Sequence, residues 1–142
     1  MAGGSPMTWT AREVLDRWRR ASVEQSIEDM RCLYAVDAVH EFPFTAPGLP
    51  SRLEGRDEIV GWIAAGWSTN ALRYETYRTR AVHGTDDQDT IVVEQEAVGT
   101  SAATGGFALP NLVVLTVHNG QIAELRDYVN IPAAMAALGV GR

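Results

Sequence analysis

Asn119-Gly120 stands between two runs of alternating apolar and polar residues, and this pair constrains the fold more than any other feature of the chain. A tight type I′ turn needs positive φ at both central residues, which Asn and Gly tolerate, and its twist suits two antiparallel strands. Residues 107–118 and 121–130 therefore read as a hairpin. Upstream, residues 74–82 and 90–100 are rich in Tyr, Thr and Val with polar residues between them. Turns at 84–89 and 101–106 separate these runs, so four strands succeed one another as a meander.

The first half has a different period. Thr10 and Glu13 form a T-x-x-E capping box, followed by a helical stripe of Val14, Leu15, Trp18 and Ala21. Ser22 and Gln25 repeat the box, and Val23, Ile27, Met30 and Tyr34 give a second stripe. Two helices are thus expected to meet near Ser22. Residues 39–44 read as a short strand, and Pro43, Pro47, Gly48 and Pro50 break the next stretch into a loop. Gly55 and Asp57 introduce a third helix with Ile59, Val60, Ile63 and Trp67 on its apolar side. Pro132 suits the first turn of a short last helix and Gly139 its end. The fold class is α+β: a cone-shaped, curved mixed or antiparallel sheet wrapped around three N-terminal helices, with a short C-terminal helix. One end of the cone stays open as a pocket. Residues 1–9 read as a disordered tip and 10–142 as a single domain, since 142 residues supply one core.

The net charge of −6 argues against nucleic acid, which needs a positive stripe. Arg17, Arg19 and Arg20 read as a solvated helix face. There is no apolar run of membrane-span length and no hydrophobic segment of a signal peptide near the start. Cys32 is the sole cysteine and reads as core filler, and the expected setting is a reducing cytoplasm. Asp86, Asp87 and Asp89 lack calcium-loop spacing and read as a solvated turn, and His40, His83 and His118 lack metal-ligand spacing. No metal or cofactor is expected.

Four stretches resemble the polyketide-cyclase (SnoaL-like) branch of the nuclear transport factor 2-like superfamily. They are Ala38-Val39-His40-Glu41-Phe42-Pro43-Phe44, Leu53-Glu54-Gly55-Arg56-Asp57, His118-Asn119-Gly120-Gln121-Ile122 and Leu125-Arg126-Asp127-Tyr128-Val129-Asn130. The last hairpin is also similar to phenazine-biosynthesis A/B-type proteins and to limonene-epoxide hydrolase. The resemblance implies a small-molecule pocket, a homodimer formed through the sheet and a catalytic carboxylate at Asp127. It also marks departures. The epoxide-hydrolase pattern has Arg and Asp where this chain has Glu94 and Glu96, so the water-activating set of that enzyme is incomplete. The base of ketosteroid isomerases falls at Phe42, and the tyrosine of their first helix falls at Arg17.

The residues themselves supply candidates. Asp127 lies in a strand between Leu125 and Val129, which share its face, and a carboxyl group among apolar side chains is a usable general base or acid. Pairing with Arg126 or another arginine at the rim is the structural alternative. Glu94 and Glu96 share one face of a strand. Either that face lines the pocket, with Glu96 as a catalytic partner and Glu94 at the ligand, or it meets solvent while Val93 and Gln95 point inward. His40 and Glu41 point to opposite faces, so at most one reaches the pocket, and His40 is the candidate proton shuttle. A regular hairpin pairing His118 with Gln121 sets Asn111 opposite Tyr128 and Asp127 opposite Leu112. Asn111, a candidate ligand donor, then shares a wall with Asp127 only if a bulge intervenes. Trp18, Tyr34, Phe42, Phe44, Trp62 and Trp67 are expected to line or floor the cavity. Three functions fit: an acid–base enzyme closing, isomerising or dehydrating a small apolar oxygenated metabolite, a non-catalytic binder of such a molecule, or a dimerising interaction module.

Overall fold

Thr10 starts the first helix as a full capping box: its Oγ1 accepts from Glu13 N at 3.2 Å and its own N–H donates to Glu13 Oε1 at 2.9 Å. The computed structural model describes residues 8–140. Of the expected tip, residues 1–7 lie outside the described residues. Trp9, placed in that tip, packs against the core and carries the Arg17 guanidinium over its ring at 3.8 Å.

Helix α1 spans Ala11–Glu24. It runs through Ser22 rather than ending there. Ser22 faces the core, and its hydroxyl meets Tyr77 Oη at 2.9 Å, so it cannot cap a second helix. Gln25 adopts the left-handed region (φ 54°) instead, and Ser26 caps α2, Ile27–Leu33, by accepting from Asp29 N. The helical stripe extends to Tyr34, but Tyr34 begins strand β1 (Tyr34–Glu41), where it pairs with Ile122. Cys32 is exposed, not core: Met30 and Leu33 take the buried side of this short helix.

The short strand β2 (Arg52–Glu54) interrupts the expected loop and pairs with β1. Helix α3 covers Arg56–Ser68, β3 Leu72–Gly84, β4 Thr90–Ser101, β5 Gly105–His118, β6 Gln121–Tyr128 and α4 Ile131–Leu138. The last helix has Pro132 in its first turn and Gly139 as its left-handed cap. The sheet order is β2-β1-β6-β5-β4-β3, antiparallel except where β1 runs parallel to β6, and the sheet is curved and unclosed.

The helices bury one face of this sheet. Val14, Met30, Tyr34, Ile59, Val93, Leu115 and Ile122 are fully buried there. Each apolar side chain of that size stabilises the fold by roughly 1.5–3 kcal/mol. At the β3–β4 contact only glycine fits position 99, since a Cβ there would run into the Arg73 carbonyl and the Phe107 ring. Arg19 departs from the solvated reading of its basic run. It reaches across to β4 and β3, donating to Gln95 Oε1 at 2.7 and 3.0 Å and to Thr79 Oγ1 at 2.7 Å.

Candidate active site

A single extra residue in β6 decides what faces the cavity. The hairpin opens with His118 opposite Gln121 and Val117 opposite Ile122, then slips so that Thr116 meets Glu124. Ala123 has no partner of its own, which makes it a bulge. Beyond it the inward residues are Leu125, Asp127 and, just past the end of β6, Val129, and Asp127 stands opposite Val113 rather than Leu112. Asn111, two residues from Val113 on the same face, donates from Nδ2 to Asp127 Oδ1 at 3.0 Å. The bulge thus brings together two groups that a regular hairpin would separate.

The cavity has two lobes, of about 150 Å³ and about 400 Å³. Trp18, Leu72, Tyr74, Asp127 and Val129 line both, so Asp127 sits at the waist. The smaller lobe adds Tyr77, Gln95 and Asn111. The larger adds His40, Phe42, Trp62 and Trp67. Helix α4 contributes Ala134 to one and Leu138 to the other. Its last turn is tied to the β4–β5 turn, where Ser101 and Thr104 hydroxyls donate to the Ala137 carbonyl.

Asp127 retains some exposure, and that exposure opens into the cavity. Burial among these walls pushes its carboxyl up to about 6, against the opposing pull of the Asn111 hydrogen bond. It forms no ion pair with Arg126, which points outward to Glu124 at 3.1 Å. Burial also raises the phenols of Tyr34 and Tyr77, and pushes Tyr74 up to about 12.

His40 faces inward and Glu41 outward, where Glu41 accepts from Arg52 Nη1 at 2.8 Å. His40 is buried, with its ring 4.9 Å from Phe42 and its Nδ1 3.2 Å from Tyr34 Oη. Tyr34 Oη in turn accepts from Trp18 Nε1 at 3.1 Å. Burial lowers the His40 imidazole to about 4. Tyr34 is wholly enclosed behind His40 and touches neither lobe.

The structure places three candidates away from Asp127. Glu94 and Glu96 occupy the outer face of β4, Glu94 with His83 at 2.6 Å and Glu96 with Arg78 at 2.7 Å. Val93 and Gln95 take the inner face, 0% and 4% exposed. The alternation of β4 forces this choice, because Val93 belongs to the core. Phe44 is 56% exposed and lies edge-on to Tyr128 at 5.7 Å, on an outer groove rather than in the cavity. Strand β1 ends at Glu41, so its alternation does not carry Phe44 inward. Glu94 borders the same groove.

Tyr74 and Tyr77 are wall residues that the sequence did not single out, while Gln95 is the inward residue of the alternative in which Glu94 and Glu96 meet solvent. Tyr74 and Tyr77 are three apart and would oppose each other in a regular strand. The register slip at Glu75 turns both inward, with ring centroids 6.0 Å apart. Among the described residues, no cluster of three His, Cys, Asp or Glu side chains is placed to hold a metal.

A family model described as SnoaL-like domain matches residues 15–125. The PhzA/B-like protein PA3332 of Pseudomonas aeruginosa is 31% identical over 112 residues, 75% of this chain and 74% of its own. A Bacillus subtilis crystal structure superposes with a TM-score of 0.83 at 25% identity, over 91% of this chain and 92% of that one. RV0760c from Mycobacterium tuberculosis, solved in complex with estradiol-17beta-hemisuccinate, has the same fold. Its TM-score is 0.71 at 16% identity, over 87% of this chain and 95% of that one.

Proposed function

The chain belongs to the SnoaL-like domain family of the nuclear transport factor 2-like superfamily, and we propose that it is a cofactor-free acid–base enzyme acting on a small, largely apolar, oxygenated metabolite. The observation that carries this reading is Asp127: a carboxyl group at the waist of an apolar cavity, held by Asn111 and titrating near 6. At neutral pH it is mostly ionised, yet it binds a proton far more readily than a surface aspartate, which suits proton removal and return. Cyclisation, isomerisation and dehydration of polyketide-like compounds all need such a step. The aromatic walls would hold the substrate in reactive shape. With Glu96 outside, Asn111 beside Asp127 and His40 in the larger lobe are left as polar groups for the substrate. The steroid skeleton of the conjugate bound by RV0760c supports a polycyclic ligand.

Non-catalytic binding is the second reading, favoured by Asp127 being the one carboxylate among the described residues that lines either lobe. We further propose a homodimer through the outer sheet face and a reducing cytoplasmic setting, in line with Cys32 as the sole cysteine. No helix among the described residues is long and apolar enough to cross a membrane.

The test is turnover and binding of a panel of polycyclic and polyketide-like compounds by wild type and Asp127→Asn across pH. Wild-type kcat/KM should rise through pH about 6 to a plateau, as Asp127 ionises. Asp127→Asn should lose about 10²–10⁴-fold in turnover while still binding. Equal binding by both proteins with no turnover by either would replace the enzyme with the binder.

A further inference from the structure

Two buried polar atoms of the cavity wall have no protein partner: His40 Nε2 and Asn111 Oδ1. They belong to different lobes, with Asp127 between them. Their hydrogen-bonding demands can be worked out from the groups behind them, and they are opposite.

Trp18 Nε1–H can only donate, and it donates to Tyr34 Oη. The Tyr34 hydroxyl has one proton left to place, and His40 Nδ1 lies 3.2 Å away. Nδ1 therefore accepts. The neutral ring carries its one proton on Nε2, so Nε2–H is a buried donor with nothing to donate to, on a residue that lines the larger lobe. On the other side, an ionised Asp127 only accepts, so the Asn111 amide turns its nitrogen to the carboxylate. That leaves Oδ1 as an acceptor with nothing to accept. A buried donor and a buried acceptor left empty each carry a desolvation cost that a matching ligand group would relieve.

We infer that the cavity takes an uncharged ring compound bearing a carbonyl-type oxygen for His40 Nε2–H and a hydroxyl for Asn111 Oδ1, with Trp18 and Tyr34 as positioning residues that hold His40 in the donor tautomer. This rests on the reading of the cavity as the ligand site. It removes His40 from the proton-shuttle role, because one ring nitrogen already carries its proton and the other is closed by Tyr34. A carboxylate ligand would meet the like charge of Asp127, and an ammonium would meet the His40 N–H. A neutral hydroxy-carbonyl compound satisfies both orphaned atoms without either conflict.

The experiment has two readouts, neither of which uses turnover. The first is the ¹⁵N spectrum of the three histidines at neutral pH. His40 should show a protonated Nε2 and an unprotonated Nδ1, and Tyr34→Phe should disturb that signature. A His40 protonated on Nδ1 in the wild type overturns the inference without any variant having to fold. The second is binding of four compounds on one skeleton: tetralin, tetralone, tetrahydronaphthol, and a tetralone with a hydroxyl on its far ring. The last should bind about tenfold tighter than either singly substituted compound, and tetralin weakest. His40→Phe should abolish the advantage of tetralone over tetralin and spare that of tetrahydronaphthol. Equal binding of all four, or uniform weakening by His40→Phe, overturns the inference. Loss of the enzyme reading shows instead as absent turnover with these preferences intact.

Discussion

Asp127 and His40 are shifted in opposite directions by the same burial, and the consequence is measurable in stability. Asp127 rises from 3.8 to about 6 on folding. Below pH 3.8 both states hold its proton. Between 3.8 and 6 the unfolded chain releases the proton while the native state keeps it, so stability falls as pH rises, by about 3 kcal/mol in all. His40 falls from 6.5 to about 4. As pH drops through that window the unfolded chain gains a proton that the native state refuses, so stability falls in the other direction, by about 3 kcal/mol. The tyrosines facing these groups, Tyr34, Tyr74 and Tyr77, stay neutral throughout. Asp87, lowered by its turn hydrogen bonds, acts only below this window. Wild-type stability should therefore be nearly flat between pH 4 and 6. In Asp127→Asn it should climb by about 3 kcal/mol from pH 4 to 6.5, as His40 acts alone. Urea denaturation at a series of pH values checks this, and parallel profiles for the two proteins would contradict the opposed shifts. Asp127 was legible as a candidate because its neighbours at period two are apolar. His40 was legible only as an inward or outward alternative, since its partner Tyr34 and the Trp18 that bonds Tyr34 lie 6 and 22 residues away.

The β5–β6 hairpin shows what an element's sequence does and does not carry. Asn119-Gly120 set its turn and its first pairs, as expected. The bulge at Ala123 left no comparable signal, yet it reverses which residues face inward for the rest of β6. Deleting Ala123 should let the strands pair regularly and keep Asp127 opposite Val113. Deleting Arg126 should move Asp127 opposite Val114, onto the outer face. A ¹³C titration of the Asp127 carboxyl reads the difference: near 6 in the first variant, falling toward 3.8 in the second. The same value in both would deny the bulge its role. The slip at Glu75 does for Tyr74 and Tyr77 what Ala123 does for Asp127. At the helical end, the two capping patterns at Thr10 and Ser22 look alike in sequence. They differ because Ser22 is claimed by Tyr77 from β3.

The outer face of the whole sheet carries an open groove of about 860 Å³, with Phe44, Leu112, Tyr128 and Pro132 beside Arg80 and Glu94. An apolar patch rimmed by charge suits a second copy of the chain. Sedimentation equilibrium should show a dimer for the wild type and a shift toward monomer for Leu112→Asp. A wild-type monomer would count against the dimer. The α+β class, the order of elements apart from β2 and one apolar sheet face under the helices came from the sequence alone, because period and turn chemistry are local. Burial of Val93 on β4, the two register slips, and the Trp18–Tyr34–His40 chain came only with the tertiary structure. A side chain's face reverses with each unpaired residue, and which residue goes unpaired is settled by packing between strands and helices distant in sequence.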